Sequence, residues 1–229
     1  MPRPFDPHKD TPRDLARIAD PFVDAASDLA TKRSYLVHFP AATSVLDVGC
    51  GQGRFLDLLK ERGIEGLGLD ASSEAVAACV ARCHVAVHGD ALELLKRLYN
   101  ERRKFSGALL AHVVEHCDGA AAMALIAACA RVLEPGGRLL IATPNARNLI
   151  VLEETFWLDP THVRPYPRAL LERMGSAEGL NVVASYDDPT TSPRRPILRR
   201  ALAQLRSWCS GADRSGPMDS VVVFEKPRA

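Results

Sequence analysis

The chain has 229 residues, with 29 Lys and Arg against 28 Asp and Glu and a formal net charge of +1. So even a balance excludes a surface built mainly to grip nucleic acid or an anionic membrane, while leaving room for a local basic patch. The length suffices to bury a three-layer core, and no stretch approaches the roughly 20 apolar residues that cross a bilayer.

Residues 1–43 read as a polar, Pro-rich leader followed by a helix. The opening MPRPFDPHKD has no apolar run of a signal peptide, so a cytoplasmic location is expected. The helix is predicted over 22–36, where Phe22, Ala25, Ala26, Leu29, Ala30 and Leu36 recur at helical spacing, and it is placed to cover one mouth of a sheet. Residues 44–229 then alternate short β-branched or apolar runs (44–48, 66–69, 85–88, 107–113 and 138–143) with helical patterns (54–61, 73–81, 91–98 and 120–133). That rhythm predicts βαβ units and an α/β three-layer sandwich with a mostly parallel sheet.

Glu134-Pro135-Gly136-Gly137 reads as a helix stop and turn before the fifth strand. A long connection over 144–165, a helix over 166–177 and strands over 180–186 and 220–226 follow. Between the last two strands lies a Pro/Ser/Arg-rich insertion, 187–219, whose basic amphipathic stretch 194–208 suits a sheet-edge cover or a homodimer contact better than a polyanion. The six cysteines (Cys50, Cys79, Cys83, Cys117, Cys129 and Cys209) form no C-x-x-C pair and are expected to be reduced and structural. Cys79 and Cys83 stand four apart, as on one helix face, a spacing that more often marks two small core residues than a metal site.

The sharpest segment is Val45-Leu46-Asp47-Val48-Gly49-Cys50-Gly51-Gln52-Gly53-Arg54-Phe55, an apolar strand running through a glycine turn into a helix. Gly49, Gly51 and Gly53 let the backbone turn sharply and approach a ligand at a helix N-terminus. Asp70 closes the second strand, where a carboxylate can accept from both ribose hydroxyls of an adenosine. Asp90, in His88-Gly89-Asp90-Ala91, closes the third and can accept from an adenine amino group. A nicotinamide dinucleotide shares the ribose acid, but its G-x-G-x-x-G turn needs glycine where Arg54 stands. Asp47 also suits a cationic amino-acid ligand better than a pyrophosphate.

These motifs resemble class I S-adenosylmethionine (SAM)-dependent methyltransferases: VLDVGCGQGRF their first, GLGLDAS their second, HGDA their third, and VLEPGGRLLIATPN their fifth-strand segment. The resemblance spans about 45–145 together with the terminal strand pair, and implies a seven-stranded sheet whose last strand is antiparallel. It further implies a cofactor site of Asp47, Gly49, Gly51, Gly53, Asp70, Ala71, Asp90, Ala91 and His112.

Beyond strand four the chain reads His112-Val113-Val114-Glu115-His116, and the later connection carries Asp159-Pro160-Thr161-His162-Val163-Arg164. H-x-x-E-H also spells an inverzincin pattern, but at a strand end it lacks the single helix face that pattern needs. Glu115, His116 and His162 are the candidate catalytic residues; with His112 they are also candidate ligands of Mn²⁺, Co²⁺, Fe²⁺ or Zn²⁺. Small-RNA 2′-O-methyltransferases and ubiquinone-biosynthesis O-methyltransferases resemble the chain here, with E-x-x-E-H where it has His112 in place of the first glutamate. A metal, a histidine base and a structural pair are all open on this pattern.

The stretch 156–171 resembles methyltransferases of glycan and O-antigen pathways, which carry a DPTHVRPY-like segment. That resemblance implies O-methylation of a saccharide or similar polyhydroxylated acceptor. Phe156 and Trp157 are candidates to stack on it, or else to plug the core beneath the loop, and Arg164 is a candidate to bind its phosphate or carboxylate. The alternatives are an RNA 2′-O-methyltransferase, against which the even charge stands, and a non-catalytic SAM-binding scaffold.

Overall fold

The computed structural model describes residues 25–192 and 216–228. Seven strands, β1 (Ser44–Val48), β2 (Glu65–Asp70), β3 (Val85–His88), β4 (Phe105–Ala111), β5 (Leu133–Pro144), β6 (Asn181–Asp187) and β7 (Asp219–Glu225), form one sheet ordered β3-β2-β1-β4-β5-β7-β6. β7 is antiparallel to both its neighbours and the remaining pairs are parallel, as expected. The order runs outward from β1 to β3 and then restarts at β4 on the other side of β1. That reversal opens a crevice beyond the carboxyl ends of β1 and β4, where open sheets bind ligands.

Helices α1 (Ala25–Tyr35), α2 (Arg54–Glu61), α3 (Ser73–Ala81), α4 (Ala91–Asn100), α5 (Gly119–Val132), α6 (Leu149–Glu153) and α7 (Arg168–Ala177) accompany the sheet. Strand alternation divides the core between its two faces. Leu139, Ile141, Val222 and Phe224 pack with side chains of α4, α5 and α7, while Leu140, Ala142, Val221 and Val223 pack with those of α1, α2 and α3. In α2, Phe55, Leu56, Leu58 and Leu59 are all buried, each contributing about 1.5–3 kcal/mol of apolar burial at most. Ser72, Asp90 and Asp118 cap α3, α4 and α5 by accepting backbone N–H bonds, fixing where each helix leaves the ligand-binding end of the sheet.

Three local expectations are corrected. Glu134–Gly137 makes the expected turn, with Gly136 at a φ of 79°, but inside β5 rather than ahead of it: the register with β4 jumps from Phe105↔Leu133 to Gly107↔Arg138. The turn is held by Gly136 N–H donating to Lys226 O at 2.8 Å and Lys226 N–H donating to Gly137 O at 2.9 Å. β4 stops at Ala111, so His112 and Val113 leave the sheet, and His112 takes the left-handed φ of 56°. Cys83 lies past the end of α3 at φ 62°, whereas Cys79 is buried, so the two share no helix face. The predicted first helix is described from Ala25 onward, with a 3₁₀ turn at Leu36–His38. The basic stretch 194–208 and Cys209 lie outside the described residues; the five described cysteines are free thiols. No helix among the described residues is long and apolar enough to cross a membrane.

Candidate functional site

The glycine turn after β1 is fixed from β2. Gly49 and Cys50 donate N–H bonds to Leu69 O at 2.8 and 3.1 Å, and Gly51 N–H donates to Asp70 Oδ2 at 2.7 Å. Ser72 N–H donates to Asp70 Oδ1 at 2.8 Å, so each carboxylate oxygen already holds one backbone amide and keeps a lone pair for a further donor. Gly49, Gly51 and Gly53 have φ of 76°, 52° and 79°. A Cβ at Gly49 would lie 2.5 Å from Val113 Cγ2 and one at Gly53 2.9 Å from Cys79 Sγ, whereas one at Gly51 would meet no protein atom within 4 Å. The turn is therefore packed shut at both ends and open at its middle.

Asp47 is 3% exposed. Burial pushes its carboxyl up from 3.8 to about 7; Lys32 opposes that rise, and Asp70 and Asp28 add to it. Asp28 of α1 in turn pairs with Arg54 at 2.8 Å and with Lys32 at 3.4 Å, fastening α1 to the start of α2 beside the glycine turn. Asp90 is exposed and its Oδ1 accepts Glu93 N–H at 2.9 Å, capping the helix that Ala91 begins. The Ala71 carbonyl is 3.1 Å from His88 Nε2.

At the exit of β4, Val114–His116 forms a 3₁₀ turn that buries Glu115 and keeps His116 half-buried. Glu115 Oε1 lies 3.2 Å from His112 Nδ1, and Oε2 accepts from the Thr143 hydroxyl at 3.0 Å. Burial alone would raise the Glu115 carboxyl, but the bond and charge of His112, helped by a backbone bond and by His116, hold it below 4.5. His112 Nε2 is 3.5 Å from Asp219 Oδ2 at the start of β7. Burial pulls the His112 imidazole down, yet the Asp219 and Glu115 carboxylates outweigh it and set the group well above 6.5. The exposed His112 ring thus lies between two carboxylates.

The loop over 155–165 meets this turn. Val163 and Arg164 donate N–H bonds to Glu115 O at 2.8 and 3.3 Å, and the rings of His116 and His162 stand 4.8 Å apart. His162 Nδ1 is 2.7 Å from Phe156 O, and His116 Nδ1 is 2.8 Å from the Thr161 hydroxyl. Ligand atoms of Glu115, His116 and His162 all lie within 4.8 Å of one another. His112 falls outside that group because its ring is committed to Glu115 and Asp219.

The two aromatics expected to meet an acceptor part company. Phe156 is 1% exposed and packs edge-on against Trp157 and tilted against His162, with centroids at 5.0 and 4.5 Å, so its ring faces protein rather than solvent. Trp157 is 59% exposed, its indole N–H donating to Leu152 O at 2.7 Å. Arg164 is exposed, with its guanidinium 5.0 Å from the Tyr166 ring centroid.

Residues 13–185 match the family model described as "Methyltransferase domain". The chain belongs to the methyltransferase domain family. A SAM-dependent methyltransferase from Archaeoglobus fulgidus superposes with a TM-score of 0.71 at 27% identity, over 87% of this chain and 93% of that one. The 1,6-didemethyltoxoflavin-N1-methyltransferase of Burkholderia thailandensis, solved with S-adenosylhomocysteine, superposes at 0.65 with 18% identity, covering 93% and 84% of the two chains, a likeness of fold. Among curated proteins, the ubiquinone biosynthesis O-methyltransferase of Dechloromonas aromatica is 28% identical over 58% of this chain and 53% of its own length. That of Chelativorans sp. is 34% identical over 44% and 40%. The chain spans about half the length of these relatives or less. These likenesses show a methyltransferase domain whose solved counterpart is SAM-dependent.

Asp219, Thr143, Asp159, Thr161 and Val113 were not singled out in sequence. Only the DPTH spacing pointed towards Asp159 and Thr161; Asp219 and Thr143 reach Glu115 and His112 through the β5–β7 pairing, which carries no local signal.

Proposed function

We propose that the chain transfers a methyl group to a hydroxyl of a saccharide or similar polyhydroxylated acceptor, with His116 taking the hydroxyl proton. The observation that supports this reading is the approach of His116 to His162, with the buried Phe156 ring touching both His162 and the exposed Trp157. A proton acceptor and an aromatic side chain that suits the apolar face of a sugar ring are thus linked through one ring.

The residues around the glycine turn fit SAM. Gly51 leaves an open backbone face, Asp70 has lone pairs for ribose hydroxyls, and buried Asp47 is an acid whose ionisation a bound ammonium would restore. Gly49 and Gly53 would shape the turn for the methionine part, Ala71, Asp90 and Ala91 would hold the adenine, and His112 would stand on the cofactor side of the acceptor. When bound, SAM supplies an electrophilic methyl on a sulfonium. The chain's own part is to hold the acceptor hydroxyl in line, accept its proton at His116 and exclude water. Arg164 is placed to pair with a phosphate or carboxylate on the acceptor.

A second reading has Glu115, His116 and His162 hold a divalent cation that orients the hydroxyl and lowers its pKa. It is supported by the clustering of the three groups and by the outward bond of each histidine's Nδ1, the arrangement that orients metal-binding imidazoles. Two imidazoles with one carboxylate favour Mn²⁺, Fe²⁺, Co²⁺ or Zn²⁺ over Mg²⁺.

The test is transfer of labelled methyl from SAM to separate panels of methyl glycosides, RNA oligonucleotides and catechols, with and without chelator. Label in the glycosides supports the proposal. Label confined to RNA or catechol overturns the acceptor class, and loss with chelator selects the metal reading.

A further inference from the structure

We propose that Thr161 and Asp159 are positioning residues that hold His116 as its Nδ1–H tautomer and so present a bare Nε2 to the acceptor side. The role given to Nε2 rests on the function proposed above; the tautomer does not.

The Thr161 hydroxyl lies 2.6 Å from Asp159 Oδ1 and 2.8 Å from His116 Nδ1. A hydroxyl has one proton to give and an ionised carboxylate can only accept, so the shorter, charge-assisted bond claims that proton. The hydroxyl then has only lone pairs for His116, and Nδ1 must be the donor. The ring's second nitrogen is left without a proton. The Thr161 backbone N–H also donates to Asp159 Oδ1, at 2.8 Å, closing a tight turn that keeps the residue beside the carboxylate.

The same carboxylate borders the second histidine. His162 Nδ1, 2.7 Å from the Phe156 carbonyl, must also carry a proton, since a carbonyl only accepts, and His162 Nε2 is 3.7 Å from Asp159 Oδ2. Asp159 therefore orients His116 through Thr161 and faces His162 directly. A proton received at His116 Nε2 leaves an imidazolium whose Nδ1–H is already bonded toward a carboxylate, the logic by which a third group supports a histidine base.

The experiment reads protonation at the two ring nitrogens of His116 by long-range ¹H–¹⁵N correlation. It uses the full chain, treated with chelator, at a pH where the ring is neutral, and it needs no acceptor. The wild type and Thr161→Ser should show Nδ1–H. Thr161→Val removes the acceptor for Nδ1, and Asp159→Ala frees the hydroxyl to donate to Nδ1. Each should move the tautomer ratio toward Nε2–H by roughly tenfold. The second variant keeps the test alive if the first does not fold. An Nε2–H ring in the wild type, or a folded Thr161→Val or Asp159→Ala chain that keeps Nδ1–H as fully as the wild type, overturns the proposal. Wild-type turnover of a methyl glycoside by His116→Ala would instead overturn the proposed function while leaving the tautomer result standing.

Discussion

A Cβ on Gly49 would lie 2.5 Å from Cγ2 of Val113, so the first glycine of the cofactor turn and the exit of β4 pack without room for one methyl group. Gly49 also has a φ of 76°, which an L side chain adopts only with strain. Gly49→Ala should destabilise the fold by about 1–3 kcal/mol and weaken SAM binding at least tenfold. Adding Val113→Ala should recover the packing part of that loss but not the backbone part. Denaturant melts of the single and double variants, with calorimetry of SAM binding, check this.

Asp47 should make SAM affinity depend on pH. Its carboxyl is pushed by burial to about 7 from 3.8, so the folded chain holds a proton there that the unfolded chain has released. The resulting stabilisation is full below about pH 4 and is lost as pH rises to about 7, so stability falls across that window. Asp47→Asn should flatten that slope. An ammonium bound beside Asp47 favours the ionised form, so SAM binding near pH 6 should release a proton and tighten as pH approaches 7. Calorimetry in two buffers of different ionisation enthalpy counts the proton.

Asp70→Ala should weaken SAM and S-adenosylhomocysteine alike by roughly ten- to a hundred-fold. The variant also frees the Gly51 and Ser72 amides that hold the turn at 2.7 and 2.8 Å. Asp70→Asn, which keeps an acceptor oxygen but loses the charge, should fall between wild type and Ala. Equal affinity in wild type and a folded Asp70→Ala would remove the residue from the site.

His162→Ala should leave SAM affinity nearly intact and cut single-turnover transfer by about two orders of magnitude. The ring packs at 4.5 Å against Phe156 and 4.8 Å against His116, so some thermal destabilisation is expected beside the rate effect. His162→Gln, with an amide that can still donate to Phe156 O, should recover stability and not rate.

What could be read in the sequence was what local pattern controls. The alternation of apolar runs and helices gave the sheet, and three glycines ahead of Phe55 marked the turn, because both depend on neighbours within one βα unit. Glu134–Gly137 reads as a turn since glycine and proline dominate there, and it is one, but the β4 register and the Lys226 bonds that set it inside β5 have no local signal. The bridge from His112 to Asp219 was invisible for a related reason: β7 enters antiparallel beside β5, setting Asp219 opposite Pro144 near the β4 exit. Phe156 and Trp157 are adjacent and chemically alike, and only the 3₁₀ turn over Thr155–Leu158 decides that one is buried and the other exposed.

The most direct test of the account is single-turnover transfer of labelled methyl from SAM to methyl glycosides by wild type and His116→Ala, with SAM affinity measured in parallel. The account predicts an O-methylated sugar from the wild type, a loss of about a hundred-fold in His116→Ala, and SAM affinity unchanged within about threefold. Label found on no hydroxyl, or His116→Ala reacting at the wild-type rate, would contradict it.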